Sequence, residues 1–145
     1  MTKRRRSREF ALQVLYQWDM TQQDARKGLV HFKEHFSLTE EIDPFLDRIV
    51  QGVLTHCQEI DRLIEQYSEH WRLSRMAPID RTILRIAIFE LLYCEEIPPK
   101  VTLNEAVDLG KQFGSDESGS FINGILDCIL NEVVQKSIKT TSLSP

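Results

Sequence analysis

Ile83-Leu84-Arg85-Ile86-Ala87-Ile88-Phe89-Glu90-Leu91-Leu92-Tyr93 is apolar almost all round, interrupted only by Arg85 and Glu90. Pro78 stands where a helix tolerates proline, at its start, and Pro98-Pro99 stop it from continuing. The run therefore reads as the most buried helix of a helical protein. Working outward, Asp43-Pro44 predicts an N-cap and first helical residue. Phe45, Ile49, Val53, Cys57, Ile60, Ile64 and Tyr67 then recur every three or four residues, as one long helix or as two broken at the polar stretch His56 to Glu59.

Downstream, Thr102 and Glu105 have the spacing of a capping box for a helix bearing Leu103, Ala106, Val107 and Phe113, with Gly114 as its stop. A last helix carries Ile122, Ile125, Leu126, Ile129, Leu130 and Val133 on one face. Upstream, Phe10, Ala11, Val14, Leu15 and Trp18 place the arginine-rich start on a helix from Arg5 to about Met20, and Leu29, Phe32 and Phe36 mark a weaker helix through Gly28 to Phe36. No strand pattern, internal repeat or composition break appears. The expected fold is all-α, a single-domain bundle of six or seven helices over residues 1–136, with a frayed Ser/Thr-rich tail over 137–145.

The 145 residues suffice for a core without disulfides or a structural metal. Cys57, Cys94 and Cys128 lack paired spacing and sit among apolar neighbours, as reduced core cysteines do. No apolar run approaches the roughly 20 residues that span a bilayer, and no signal-peptide pattern follows the basic start, so a cytoplasmic location is expected. The net charge of −4 is unevenly distributed: Lys3, Arg4, Arg5, Arg6 and Arg8 against Glu9 leave +4 on the first nine residues and −8 on the rest. That separation suits a local grip on phosphate rather than indiscriminate coating of nucleic acid.

Catalytic signals are weak. His31-Phe32-Lys33-Glu34-His35 fits an inverted zinc-peptidase spacing, but no convincing third ligand accompanies it, and Phe32 and Phe36 explain the helix as packing. The carboxylate pairs Glu40/Glu41, Glu95/Glu96 and Asp116/Glu117 read as solvated helix ends, and no nucleophile elbow, P-loop or dinucleotide fingerprint is present. No enzyme activity, metal or cofactor is expected. Near the arginines, Tyr16 is open to two readings, partner or RNA contact and ordinary amphipathic packing.

Arg4-Arg5-Arg6-Ser7-Arg8-Glu9 with Ala11-Leu12-Gln13-Val14-Leu15-Tyr16, Asp80 through Leu91, Pro99-Lys100-Val101 with Asn104-Glu105-Ala106-Val107, and Phe121-Ile122-Asn123-Gly124-Ile125-Leu126-Asp127 occur in the order of the NusB family, which this chain resembles from Arg4 to about Leu130. The resemblance implies a non-enzymatic antitermination factor. Such a factor binds, together with the ribosomal protein NusE, the single-stranded boxA element of nascent ribosomal RNA, and it meets other Nus factors and RNA polymerase indirectly. Carried over by position, Arg4, Arg5, Arg6 and Arg8 hold RNA phosphates, Lys111, Glu117 and Phe121 complete the RNA surface, and Tyr16 and Asp80 face NusE. Asp80 equally suits a helix cap after Pro78, Phe121 equally suits core packing, and Glu117 equally suits a solvated cap near a helix start. The loop Gly114 to Ser120 is less basic than in the family, and Asn123-Gly124 is expected to serve a helix crossing. Two alternatives use the same basic helix: an RNA module like the one that opens ribosomal RNA cytosine methyltransferases, whose catalytic domain would need on the order of a hundred more residues, and an adaptor for anionic membrane or protein.

Overall fold

A computed structural model describes residues 3–36, 43–68 and 72–134. Among these the chain forms seven α-helices: α1 (Lys3–Thr21), α2 (Ala25–Phe36), α3 (Asp43–Thr55), α4 (Cys57–Tyr67), α5 (Pro78–Tyr93), α6 (Pro99–Phe113) and α7 (Ser118–Ile129). A short 3₁₀ turn, Leu73–Arg75, precedes α5, and a π-helical turn, Leu130–Val134, continues α7. The tail from residue 137 and the side chain of Asp43, the expected N-cap, lie outside the described residues.

Helix α5 is the axis of the bundle, touching α1, α3, α4, α6 and α7. Every side chain from Thr82 to Glu90 on it is buried, as its apolar girth requires. The polar break at His56 does divide the long apolar pattern, and α3 and α4 meet there at a single turn residue. Gly52 on α3 allows the Phe89 ring of α5 to lie against the backbone: a β-carbon there would stand 2.0 Å from the ring.

Two charged residues of α5, apparent interruptions in the sequence, tie it antiparallel to α1. Near the start of α1, Arg8 donates from Nε and Nη2 to both oxygens of Glu90 at 2.8 and 2.7 Å, and Thr102 adds a hydrogen bond to Glu90 Oε1. Near its end, Asp19 accepts from Arg81 and from Arg85, whose Nε and Nη2 also reach Asp61 on α4 at 2.8 and 3.0 Å. Burial pulls the Arg85 pKa down, but the bonds to Asp61 and Asp19 outweigh it and the value is raised. Each buried guanidinium thus has its charge and donors matched, the condition under which a buried ion is tolerated.

Three sequence expectations change. Helix α6 starts at Pro99, with Pro98 as its N-cap, so Thr102 and Glu105 do not form a capping box; Thr102 bonds Glu90 and Glu105 bonds Arg5. The α6–α7 crossing runs through Gly110, where a β-carbon would lie 2.8 Å from Ile122 Cδ1, and not through Asn123-Gly124, which is exposed with nothing within 4 Å of Gly124. Of the three cysteines only Cys94 is a core residue, while Cys57 is half-buried and Cys128 exposed.

Candidate nucleic-acid interface

Cations at a helix N-terminus oppose the helix dipole, and the first turn of α1 carries no acid to relieve them. The cluster is therefore not a device for stabilising its own helix. Successive residues point about 100° apart on a helix, and the arginines take different surroundings accordingly. Arg4 is exposed, with its guanidinium carbon 5.1 Å from the centre of the Phe45 ring of α3, and exposed Arg6 lies similarly over Phe10, at 5.3 Å. These aromatic faces hold the cations by their quadrupoles and leave the hydrogen-bonding edges available.

Arg5 turns toward α6. Its Nε and Nη2 donate to Glu105 at 2.8 and 3.0 Å, and Nη2 donates also to Asp108 at 2.9 Å. The hydrogen bonds and charge of Glu105 raise its pKa further, so it remains a cation at every ordinary pH. Arg8 is different in kind. Its side chain is 3% exposed, beneath the surface that a phosphate would reach, bonded to Glu90 and 3.9 Å from Glu105. A ladder of alternating charge thus runs outward from the core: Glu90, Arg8, Glu105, Arg5, Asp108. These pairings are not legible in the sequence, because the acids lie 82 to 103 residues from the arginines they bind.

Lys111 is exposed on α6 three residues beyond Asp108, which places the two as neighbours on one helix face and continues the surface from Arg5. Its stem lies across Gly119 of α7, where an added β-carbon would meet Lys111 Cγ at 3.1 Å. Phe121 sits two residues further, about 200° around α7, so Lys111 and Phe121 occupy opposite flanks of that helix. The Phe121 ring is half-buried against the core. Glu117 is exposed at the N-cap of α7 and makes no side-chain capping bond.

Tyr16 belongs to a second surface, whose lining includes Ile79 but not its neighbour Asp80. Tyr16 lines a groove of about 310 Å³ with Glu9, Phe10, Leu12, Gln13, Ile79 and Phe113, joining α1, the start of α5 and the end of α6. Asp80 follows Ile79 and is 7% exposed. It is not a cap: Ala77 holds that position, without a side-chain capping bond. Its Oδ1, like Glu9 Oε1, is buried without a hydrogen-bond partner. A larger hollow of about 780 Å³ between α1 and α2, lined by Trp18, His31, Phe32, His35 and Phe36 among others, includes none of the residues assigned by resemblance. Among the described residues no group of three His, Cys, Asp or Glu side chains is placed to hold a metal.

A sequence model of the NusB family matches residues 5–131. The chain belongs to the NusB family. It is 44% identical over 137 residues to the transcription antitermination protein NusB of Syntrophus aciditrophicus, covering 94% of this chain and 85% of that one. Against the NusB of Myxococcus xanthus the identity is 47% over 131 residues, covering 88% and 94%. In structure it resembles T. maritima NusB with a TM-score of 0.87 at 34% identity, covering 94% of this chain and 96% of that one. It also resembles a chain of the crystal structure of antitermination factors NusB and NusE in complex with dsRNA, with a TM-score of 0.82 at 26% identity, covering 90% and 98%. The family's named role, transcription antitermination, is not an enzymatic one.

Proposed function

We propose that this NusB-family chain, together with the ribosomal protein NusE, binds single-stranded boxA RNA in nascent ribosomal RNA transcripts and thereby acts in antitermination, meeting other Nus factors and RNA polymerase through that complex. Work on a nascent transcript puts it in the bacterial cytoplasm. No helix among the described residues is long and apolar enough to cross a membrane.

The observation that carries this reading is the start of α1, where Arg4 and Arg6 are exposed and held over aromatic rings beside Arg5. Guanidinium forks and phosphates match in charge and geometry. Arg8 serves this surface from below, fixing the α1 start to α5 through Glu90. Lys111 extends the cationic line over α6. Glu117 offers a carboxylate to base amino groups, and the part of the Phe121 ring left uncovered by the core offers a base an aromatic contact on the far flank of α7.

The groove beside Tyr16 is the proposed seat of NusE. Its floor is apolar, Phe113 is exposed at its edge, and Glu9 lines it, with Asp80 next in sequence to the lining residue Ile79. The negative charge of Glu9 beside this apolar groove suits a basic partner, through steering more than affinity.

Fluorescence anisotropy with labelled boxA RNA at one fixed salt concentration tests the reading, with a duplex of equal length as comparison. Weak binding by the chain alone and binding at least about tenfold tighter with NusE are expected, as for two ligands with a coupling free energy of 1–3 kcal/mol. Equal affinity with and without NusE rejects the joint complex.

A further inference from the structure

The hydrogen bonds of Arg5 divide its guanidinium into two edges with different occupants. Glu105 takes the inner edge, Nε and Nη2, with both oxygens. That bidentate bond uses the Nη2 hydrogen on the Nε side, and the second Nη2 hydrogen is the one donated to Asp108 at 2.9 Å. A phosphate approaching from solvent meets the outer edge, Nη1 and Nη2, and a fork-to-fork contact there needs the hydrogen that Asp108 holds. The two acids are also unlike in setting: the Glu105 side chain is 16% exposed and shares its charge with Arg8, whereas Asp108 is 53% exposed and holds Arg5 by one bond.

We propose that Asp108 is a displaceable counter-ion that closes the outer edge of Arg5 until an RNA phosphate replaces it, while Glu105 stays bound and aims the guanidinium. The inference rests on the reading of the α1 start as an RNA phosphate grip. Displacement exchanges one charge-assisted hydrogen bond for another and frees a solvated carboxylate, so the barrier is small and the equilibrium effect modest. Glu105 is the positioning residue: the Arg5 stem would otherwise sweep many rotamers, and its inner-edge bonds restrict them before RNA arrives. Asp108 thereby lowers affinity for weakly held or misplaced phosphate, because only a phosphate that reaches both outer hydrogens compensates for its loss. The arrangement also accounts for a chain whose most basic segment carries its own acids in contact.

The test is a double-mutant cycle on boxA RNA affinity with the NusE complex, using Asp108→Ala, Arg5→Ala and the pair, with Asp127→Ala on exposed α7 as a control for the general loss of one negative charge. Expected are a gain of about three- to tenfold for Asp108→Ala in the presence of Arg5, and a gain under about twofold in the Arg5→Ala background. The Asp127→Ala control should also stay under about twofold. Asp108→Ala should steepen the salt dependence by up to about one released counterion. Thermal unfolding confirms that each variant is folded, and Asp108→Asn repeats the comparison with a side chain of the same shape. A gain of the same size without Arg5, or an equal gain from Asp127→Ala, overturns the counter-ion inference alone. RNA binding unchanged by Arg5→Ala overturns the phosphate-grip reading, and this inference with it.

Discussion

The two ends of α1 are fastened to α5 by opposite arrangements of charge. At the start, α1 contributes the cation and α5 the anion, Arg8 to Glu90; at the end, α1 contributes the anion Asp19 and α5 the cations Arg81 and Arg85. The antiparallel pairing satisfies both, whereas reversing or sliding α1 would set like charges together in the core. The ends differ in redundancy. Glu90 is the close partner of Arg8, with Glu105 next at 3.9 Å, while Arg85 keeps Asp61 if Asp19 is lost and Arg81 keeps the carbonyl oxygens of Leu73 and Met76. The less redundant end lies beneath the exposed arginines, so the proposed phosphate grip rests on the less redundant fastening.

Arg8→Ala should show the largest effect. Among the described residues it leaves the buried Glu90 carboxylate with a side-chain hydrogen bond from Thr102 but no cation bonded to it, and removing one member of a buried pair costs about 3–5 kcal/mol. Denaturant unfolding should report that loss with the m-value preserved. A change below about 1 kcal/mol would remove the distinction drawn between Arg8 and its exposed neighbours.

Asp19→Ala should cost less, about 1–3 kcal/mol, because both arginines it leaves behind retain acceptors. The same denaturant measurement ranks the two ends. A loss from Asp19→Ala equal to that from Arg8→Ala would show that the additional acceptors do not compensate, and the comparison would fail.

The sequence made the bundle legible and the wiring between helices illegible, for a physical reason. Helix periodicity, Pro78 and the α7 stripe act within a few residues, so they could be read directly. The division of labour among Arg4, Arg5, Arg6 and Arg8 depends on Phe45, Glu90 and Glu105, which nothing local associates with them. The same reason explains α6: Thr102 and Glu105 have capping-box spacing, yet each is drawn to a residue on another helix. Asn123-Gly124 misled in the other direction. A glycine beside an amide suggested close packing, but the crossing uses Gly110, and the groove beside Tyr16 needed three helices in place before it existed.

Arg4→Ala with Arg6→Ala sharpens the contrast from the surface side. Both guanidinium groups sit over aromatic rings rather than in buried ion pairs, so melting should change little, within about 1 kcal/mol. BoxA affinity of the NusE complex should fall, and the slope of log affinity against log salt should flatten by about 1.4, two single-stranded phosphate contacts at roughly 0.7 each. An unchanged slope would take these residues out of the RNA surface even if affinity fell.

The smallest effect uses the cysteines as reporters placed by the fold at the two ends. Cys57 donates its thiol to Asp61 Oδ2 at 3.4 Å, within the Asp19 network, while Cys94 follows α5 four residues after Glu90, to whose carbonyl its own N–H is bonded. Burial is the main cause that pushes both thiols up to about 11. At pH 8 such a group is about 0.1% thiolate, and the thiolate is the species that reacts. Exposed Cys128 should therefore label first with iodoacetamide, and Cys57 and Cys94 only slowly. With Cys128→Ser as background, Asp19→Ala should loosen the wall around Cys57 and raise its labelling rate a fewfold without moving Cys94, whereas Arg8→Ala should act chiefly on Cys94. Peptide mass spectrometry assigns each site. Equal acceleration of both thiols by either substitution would mean that the two ends of α1 open together, as one cooperative unit, and that the separate fastening of the ends does not divide the bundle's local stability.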